Sequence, residues 1–389
     1  MRNFSLFPLL FSIFKSHAHQ ESRAVGLHLF PNRRLTHHLD SGRIKYARMD
    51  ILLSLPIASY FFTTSLTSWS TSLNLLFFYM TWTTLVLSHS PLKIELIGSV
   101  TLRLVLWLIP SLFFLLFDTL LPSLAESIKY NGASALPPRN AQAAAKLVGL
   151  AILNLALEAG LEAGVSIGLA TLLQQPVFKT SSTLPLPWQM IKHIALLFVA
   201  REGLTYVIHR YLLHRPSGAT ARLSKLHGRY AHARAAPPFS LLLMGDHPVP
   251  FLLHRFVPRY LPAVLLRQRL HLLTYFLFVG LCTLEETLAL SGYTVVPGIL
   301  MGGIARRTAI HYAKPTGNYG AWGVVDWVSG TSLGKDVMAD VRDEAEKHRL
   351  KERSTAAADD LGDAVQESID GLRRSTRSRA RKNRKSVKA

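Results

Sequence analysis

The sequence predicts an all-α membrane protein: a multi-pass bundle of transmembrane helices with a cytosolic helical cap that contains histidines. Three observations predict it. Of the 389 residues, 49% are hydrophobic and only 17% are charged. The apolar residues are gathered in long runs rather than in the periodic stripes of a soluble helix. Eight of the 16 histidines lie between residues 209 and 311, and the first pair ends one of these runs.

The apolar runs are taken as membrane spans because a helix needs about 20 apolar residues to cross hydrocarbon. The clearest predicted spans are 72–88, 104–117, 147–173 and 262–282. A fifth run, 194–208, is interrupted by Arg201 and Glu202 and leads directly to the first histidines. Pro110 should bend the second span, since proline has no backbone N–H. The sequence therefore predicts four to six membrane helices.

Two acidic residues interrupt the third predicted span. Glu158 and Glu162 stand four apart and so share one face of a helix. Intramembrane carboxylates often line a functional polar surface. The same spacing also fits a helix that lies at the interface or faces its neighbours, and the sequence does not decide between the two readings.

Four regions follow from the composition. Residues 1–48 form an N-terminal extension, either a weak targeting segment or an untranslated stretch before a true start at Met49. An N-terminal transmembrane region covers 49–187, the histidine-bearing domain covers 188–334, and a charged helix with a basic tail covers 335–389. The single cysteine, Cys282, lies in an apolar run, which excludes a disulfide framework and a cysteine metal site.

The net charge of +20 is unevenly distributed and predicts the orientation in the membrane. The loop 209–236 has six Lys or Arg residues and no acidic residue, and such loops stay in the cytosol. The histidines should therefore face the cytosol, together with the C-terminal tail. The tail, 373–388, has nine basic residues and no acidic one, so we expect it to bind anionic lipid head groups rather than a specific nucleic acid.

The histidines suit a metal site because neutral imidazole is a common ligand for iron and zinc. Two pairs have the same spacing of five, His209 with His214 and His227 with His232. Residues five apart on an ideal α-helix are turned by about 140°, so His209 and His214 can share a metal only if the helix ends or loosens between them. The remaining candidate ligands are His247, His311 and, with less support, His254 and His271.

The order of these motifs resembles the fatty acid hydroxylase/sterol desaturase superfamily. The resemblance covers about 188–331 and rests on His209 to His214, Leu226-His-Gly-Arg-Tyr-Ala-His232, Ala236-Pro-Pro-Phe-Ser-Leu241, Asp246-His-Pro248, Ser291-Gly-Tyr293, Gly317-Asn-Tyr-Gly320 and Val325-Asp-Trp-Val-Ser-Gly-Thr331. It implies an endoplasmic-reticulum membrane protein whose cytosolic histidines bind two irons. It also implies hydroxylation or desaturation of a lipid or sterol with dioxygen, and electrons from cytochrome b5 or a reductase.

The chain departs from the family pattern at three places. Ala231 stands before His232 where the second box normally has a histidine pair. The third box, normally His-x-x-His-His, reads Thr308-Ala-Ile-His311-Tyr312, and Leu290 replaces a histidine found in many members. Two irons need roughly eight nitrogen or oxygen ligands. The eight histidines suffice only if His254 and His271 fold back into the metal site. Asp246 and Tyr312 are candidates for residues that contact the ligands or fill a vacant ligand position.

Two functions remain open at this stage. The first is a di-iron lipid or sterol oxygenase with a divergent site, in which the histidines hold the metals and the membrane helices admit the hydrocarbon. The second is a catalytically inactive relative that keeps the fold and binds a lipid or a partner protein, as the missing box histidines suggest. A mononuclear metal hydrolase is less favoured because no nucleophile or general base stands beside the histidines.

Overall fold

The structure, a computed structural model, describes residues 66–347 except 216, 235, 268 and 297–298, together with 349 and 366. In this part of the chain every regular element is helical. The α-helices are α1 (Leu66–Ser88), α2 (Pro91–Arg103), α3 (Ile109–Leu120), α4 (Pro122–Ser127), α5 (Ala141–Leu173), α6 (Pro187–Val207), α7 (Ala221–Tyr230), α8 (Pro248–Phe251), α9 (Val257–Leu265), α10 (Leu272–Ala289), α11 (Ile299–Ala313) and α12 (Val324–Val328). Segments Leu104–Leu108, Ile208–Leu213 and Leu252–Phe256 are π-helical, and Gly132–Ala135, Gly218–Thr220 and Ser240–Met244 form 3-10 turns.

Three of the described helices are long and apolar enough to cross a membrane. They are the continuous stretch Pro91–Leu120, α5 and α10, and α1 contributes a shorter apolar stretch, Leu73–Ser88. Large apolar side chains on these helices are exposed, among them Phe77 at 74%, Phe113 at 64% and Leu172 at 80%. Such surfaces are costly in water and are accommodated by hydrocarbon. The prediction of an all-α helical membrane protein is confirmed.

One predicted span is corrected by the structure. The run 262–282 is not a single helix, because α9 ends at Leu265 and α10 begins at Leu272. Between them the chain turns, and the N–H of Arg267 donates to Val264 O at 3.1 Å while that of Arg269 donates to Leu266 O at 2.9 Å. The two arginines interrupt the apolar run at this point. A polar turn therefore separates two shorter helices.

The irregularity expected at Pro110 takes the form of a widened turn. Pro110 has no N–H to donate to the carbonyl four residues earlier, and its ring crowds that carbonyl. The π-helical segment Leu104–Leu108 stands directly before α3, which contains Pro110. A π-turn is one of the recognised ways in which a helix absorbs such a disturbance.

The first of two compact units comprises the described residues up to Pro110, Gly149–Ile208 and His247–Leu284. Its apolar core is rich in aromatic side chains, and Phe178 stacks on Tyr275 with ring centroids 4.2 Å apart. Burial of side chains of this size is worth about 1.5–3 kcal/mol each. The core thus packs side chains of α1, α2, α6, α9 and α10 against one another within this unit.

The acidic pair of the third predicted span lies inside this unit and is neutralised by arginines. Glu158 and Glu162 on α5 are completely buried. Arg103 contacts Glu158 at 3.3 Å and Glu162 at 2.7 Å, and Arg259 contacts Glu158 at 2.8 Å. Tyr275 donates a further hydrogen bond to Glu162 at 2.8 Å. This face of α5 therefore packs against neighbouring helices of the unit, and its charges are paired.

The second unit comprises Ser111–Val148, His209–Asp246 and the described residues from Glu285 onwards. Its polar framework centres on a turn in which Asn318 adopts a left-handed backbone (φ 57°). Asp326 on α12 is fully buried and accepts the N–H groups of Tyr319 at 2.9 Å and Gly320 at 2.6 Å. The Asn318 side chain also accepts the N–H of Leu333 at 2.8 Å. The turn is thus fixed at several points.

Several expectations fall on parts of the chain outside the described residues. These are the N-terminal extension 1–48, the alternative start at Met49 and the basic tail 373–388. For the charged segment 335–372, the described part from 337 to 347 is helical.

Candidate metal centre

Five histidines converge in the second unit. The ligand nitrogens of His209, His214, His232 and His311 all lie within 4.8 Å of one another. The His227 ring adjoins this group, with its centroid 4.9 Å from that of His232 and 5.0 Å from that of His214. We refer to these five residues as the histidine cluster. Among the described residues, no other group of three or more His, Cys, Asp or Glu side chains meets the same distance criterion.

The first pair is brought together by a change in helix type. After α6 the chain continues as the π-helical segment Ile208–Leu213, and the N–H of His214 donates to His209 O at 3.0 Å. This is the i to i+5 bond of a π-helix, whose wider turn places residues five apart on one face. The two Nε2 atoms are 3.1 Å apart. The loosening that this spacing demands is therefore present at the site.

The second pair lies at the end of a short helix. His227 is in the last turn of α7, and the helix closes with the N–H of Ala231 donating to His227 O at 2.9 Å. His232 follows in the turn beyond the helix. Because the helix stops between the two residues, both rings reach the cluster despite a spacing that an unbroken helix would turn apart.

The fifth histidine comes from a distant part of the sequence. His311 lies near the end of α11, is 3% exposed, and its Nδ1 donates to Gly317 O at 2.7 Å. Its ring centroid is 4.5 Å from that of His209. Arg307, one turn earlier on α11, is held by Asp340 at 2.5 Å and by Trp322 O at 2.9 Å. The helix that presents His311 is therefore fixed by an ion pair as well as by packing.

Three of the five rings are oriented through Nδ1. His209 Nδ1 contacts Tyr319 O at 2.9 Å, and His227 Nδ1 contacts Asp246 Oδ2 at 2.6 Å, in addition to the bond from His311 to Gly317. A carbonyl or carboxylate acceptor fixes the proton on Nδ1 and leaves the lone pair on Nε2 for a metal. The Nε2 of His311 is buried and has no hydrogen-bond partner among the described residues.

The cluster is electrostatically prepared to coordinate a cation. Burial, reinforced by the neighbouring imidazoles of His227 and His232, lowers the pKa of His214 to about 2. Burial and the nearby His227 lower the pKa of His232 to about 3, and burial also holds the pKa of His311 well below its usual range. The three rings are therefore neutral at pH 7. Neutral imidazole is the form that binds a metal ion.

The other predicted site residues lie at several positions. Asp246 contacts His227, and the Tyr312 ring lies 5.2 Å from that of His232, so both support the cluster. His247, His254 and His271 belong to the first unit. His247 caps α8 by accepting the N–H of Val249 at 3.3 Å, and His254 is buried in the π-helical segment after α8. The ring of His271 lies 5.7 Å from that of Trp82.

The Gly317-Asn-Tyr-Gly320 turn was not among the predicted site residues. The structure shows that the carbonyls of Gly317 and Tyr319 orient His311 and His209. The Tyr319 ring also lies 5.4 Å from that of His214. The signal available in the sequence was the short interval between His311 and Gly317, which brings the carbonyl back to the preceding helix.

The donor set fits a transition-metal ion. Nitrogen ligands bind such ions at about 2.0–2.1 Å, so opposite ligands of one ion are separated by on the order of 4 Å. Four nitrogens within 4.8 Å span a similar distance. Imidazole suits iron, zinc, copper and nickel, so the ligands themselves do not select one metal. Anchored and largely buried imidazoles at these distances have the arrangement that a coordination sphere requires.

Comparison with known proteins identifies the region that contains the cluster. A family model described as Fatty acid hydroxylase matches residues 194–331, which include all five histidines and the turn that orients them. No solved structure matches this chain. The matched segment agrees with the resemblance of the ordered motifs. Residues 194–331 of the chain are therefore similar to the fatty acid hydroxylase family.

Proposed function

We propose that this protein is an iron-dependent membrane oxygenase that hydroxylates or desaturates a lipid or sterol. The observation that carries the proposal is the convergence of five histidines within the segment that matches the fatty acid hydroxylase family. Membrane-crossing helices in the same chain give an apolar substrate a route from the bilayer. The family supports the lipid oxygenase chemistry, and the cluster provides a place for the metal.

The reaction sets what the chain must supply. Bound iron supplies the activation of dioxygen that attack on an unactivated C–H bond requires, which no side chain achieves by itself. Hydroxylation consumes one O2, two electrons and two protons, and yields an alcohol and one water. Desaturation with the same inputs yields an alkene and two waters. The sequence has no haem, flavin or ferredoxin motif, so the proposal includes an external electron donor such as cytochrome b5 or a reductase.

The residues of the cluster have distinct roles in this proposal. His209, His214, His232 and His311 hold the iron, and His227 completes the set. The carbonyls of Gly317 and Tyr319 and the carboxylate of Asp246 keep their partner rings in the coordinating tautomer. Such outer groups typically contribute 10–100-fold to metal affinity. Burial of His209, His227 and His311 limits access of water to the metal.

The number of ions is a separate part of the proposal. The resemblance implies two irons, which need roughly eight ligands. The histidine cluster gathers five imidazoles, and four of them lie within 4.8 Å, close to the span of a single coordination sphere. The cluster therefore supports one ion directly, and a second ion would require oxygen ligands or His247, His254 and His271. Metal analysis distinguishes these cases.

The second candidate function is a catalytically inactive relative that binds a lipid or a partner protein. The observation that favours it is that Ala231 and Thr308 occupy positions where the family pattern has histidines. In either case we place the protein in the endoplasmic-reticulum membrane with the histidines and the tail in the cytosol. The resemblance supports the compartment, and the basic loop 209–236 supports the orientation.

Elemental analysis of the detergent-purified full chain tests the proposal. We expect iron in the wild type and its loss in a His209→Ala/His232→Ala variant. His89→Ala is the matched control, because His89 is exposed and lies outside the cluster. The iron-loaded protein is then incubated with membrane lipids and sterols, a reductant and oxygen-18 gas. Mass spectrometry detects a hydroxylated product as an added labelled oxygen and a desaturated product as a loss of two hydrogens.

Each outcome has a definite reading. Iron that disappears in the double variant but not in the control, with a product that depends on it, establishes the oxygenase. Iron without any product across lipid and sterol substrates favours the inactive relative. A protein that stays metal-free after expression in iron-rich medium overturns the metal assignment and with it the proposed chemistry.

A further inference from the structure

The first unit contains a cavity that shares no residue with the histidine cluster. It has a volume of about 410 Å³ and is lined in part by Lys179, Ser181, Gln189, His193, Arg269 and His271. We refer to it as the basic pocket. Two cationic side chains and two imidazoles meet here, and none of its described lining residues is acidic. The size falls in the range of about 300–1,000 Å³ that is usual for small-ligand sites.

The basic pocket is built by two loops that backbone hydrogen bonds tie together. The N–H of Lys179 donates to Leu270 O at 3.0 Å, and the N–H of Leu272 donates back to Lys179 O at 2.9 Å. Trp82, buried in the apolar core, donates its indole N–H to Ser181 O at 2.9 Å. The loop that carries Lys179 and the turn that carries Arg269 are therefore held in fixed register. Both residues line the same cavity.

The charge of the pocket affects its own histidines. Burial lowers the pKa of His193, and the positive charges of Lys192 and Arg269 lower it further. Burial likewise lowers the pKa of His271, with Lys179 acting in the same direction. Both rings are thus neutral at pH 7. His271 Nδ1 accepts the N–H of Leu273 at 3.1 Å, so its Nε2 carries the proton and is a donor beside Ser181 Oγ, 3.4 Å away.

The loops that build the pocket lie next to the ends of two helices that could cross a membrane. Its loop follows the end of α5 at Leu173, and its other wall precedes the start of α10 at Leu272. Both helices are long and apolar enough to cross the membrane. Leu186, which lines the pocket, is 59% exposed, and Trp188, two residues later in the sequence, is 73% exposed. Tryptophan at a membrane boundary, with basic groups next to it, is typical of contact with the head group and upper chain of a lipid.

We infer that the basic pocket binds a phosphate group, supplied by a membrane lipid. Lys179 and Arg269 provide the positive charge, and the side-chain amide of Gln189 provides a neutral hydrogen-bond donor. Arginine and lysine are the usual partners of phosphate oxygens. The exposed Leu186 and Trp188 favour a phosphate that carries acyl chains over free phosphate. The inference does not depend on the histidine cluster, because none of its five residues lines the pocket.

Binding to the detergent-purified full chain tests the inference. The probes are dioleoylphosphatidylglycerol, dioleoylglycerol as its phosphate-free counterpart, and inorganic phosphate, with binding followed by microscale thermophoresis. We expect phosphatidylglycerol to bind at least tenfold more tightly than dioleoylglycerol. A Lys179→Gln/Arg269→Gln variant should weaken that binding at least tenfold. Lys146→Gln is the matched control, since Lys146 is an exposed lysine on the first turns of α5, outside the pocket.

The arms separate the possible sources of the phosphate. Tight phosphatidylglycerol binding that millimolar inorganic phosphate barely displaces identifies a lipid phosphate. Equal binding of inorganic phosphate, lost in the double variant, keeps the phosphate site but overturns the lipid as its source. Equal binding of phosphatidylglycerol and dioleoylglycerol, or equal losses in the double variant and the control, overturns the inference. If the double variant does not fold, Lys179→Gln alone applies the same test with an expected loss of at least threefold.

Discussion

Replacing Asp246 by asparagine should weaken metal binding while leaving the fold intact. Asp246 is 6% exposed, and its Oδ2 lies 2.6 Å from Nδ1 of His227. Asparagine has nearly the same shape and can still accept a hydrogen bond, but it carries no negative charge. The change therefore removes the electrostatic support that makes the opposite nitrogen of His227 a stronger ligand.

The size of the effect follows from the geometry. A short, buried carboxylate-to-imidazole hydrogen bond belongs to the charge-assisted class, worth about 1.5–3 kcal/mol. Loss of an outer-shell carboxylate typically reduces metal affinity about 10–100-fold, which corresponds to roughly 1.4–2.7 kcal/mol. We therefore expect Asp246→Asn to raise the dissociation constant for Fe²⁺ by one to two orders of magnitude.

The assay is an anaerobic competition between the purified protein and a chromophoric chelator for Fe²⁺. Asp343→Asn is the matched control, because the Asp343 side chain is 46% exposed and pairs with Lys335 in the same unit. Thermal midpoints of the metal-free proteins verify that both variants are folded. An Asp246→Asn protein that is folded and binds Fe²⁺ within twofold of the wild type would refute the role assigned to this carboxylate.

Three further predictions concern stability and the turn. Arg103→Met removes a positive charge that pairs with the buried carboxylates of Glu158 and Glu162. It should therefore lower the free energy of unfolding, measured by denaturant titration, by about 3–5 kcal/mol. The control Lys93→Met, at an exposed position, should change the free energy of unfolding little. Because the folded pKa values of His214 (about 2) and His232 (about 3) lie below the ordinary value of 6.5, the unfolded chain binds more protons in between. The metal-free protein should therefore lose stability as the pH falls below about 6.5, and an unchanged thermal midpoint between pH 7.5 and pH 5 would contradict this. Gly317→Ala places a methyl group against Thr331 O, so it should displace the turn and lower the iron content of the protein. The control Gly302→Ala should leave the iron content unchanged, because its added methyl group meets no atom within 4 Å. Equal iron content in the two variants would rule out the turn as a positioning element.

The spacing of the histidines shows how far the sequence alone reaches. Two pairs five residues apart cannot meet on a regular helix, so the sequence required a loosened or ended helix at each. It did not say which device would be used. The structure uses a π-helical segment at His209 and His214, and the end of α7 at His227 and His232. Helix type depends on competition between hydrogen-bond patterns that tertiary packing decides.

For the membrane segments, too, the sequence predicted some features and only the structure revealed others. The runs that became α5 and the stretch Pro91–Leu120 were readable because hydrophobicity and length alone make a helix stable in a bilayer. The break between Leu265 and Leu272 was not predicted, because the mean hydropathy of the run stays high when two arginines stand among many apolar residues. The pairing of Glu158 and Glu162 with Arg103 was equally invisible, since the arginine lies more than 50 positions away in the sequence.

What the sequence by itself determined is the class of the protein and the chemistry of its candidate site. Composition and apolar runs specify membrane helices, and residue type limits the candidate metal ligands to imidazoles. What only the tertiary structure decided is which imidazoles meet. His311 joins the cluster, and Asp246 and Gly317 orient its rings, while His254 and His271 lie in the other unit. Coordination depends on distances of a few ångströms between residues such as His209 and His311, which are 102 positions apart, and only the folded chain sets such distances.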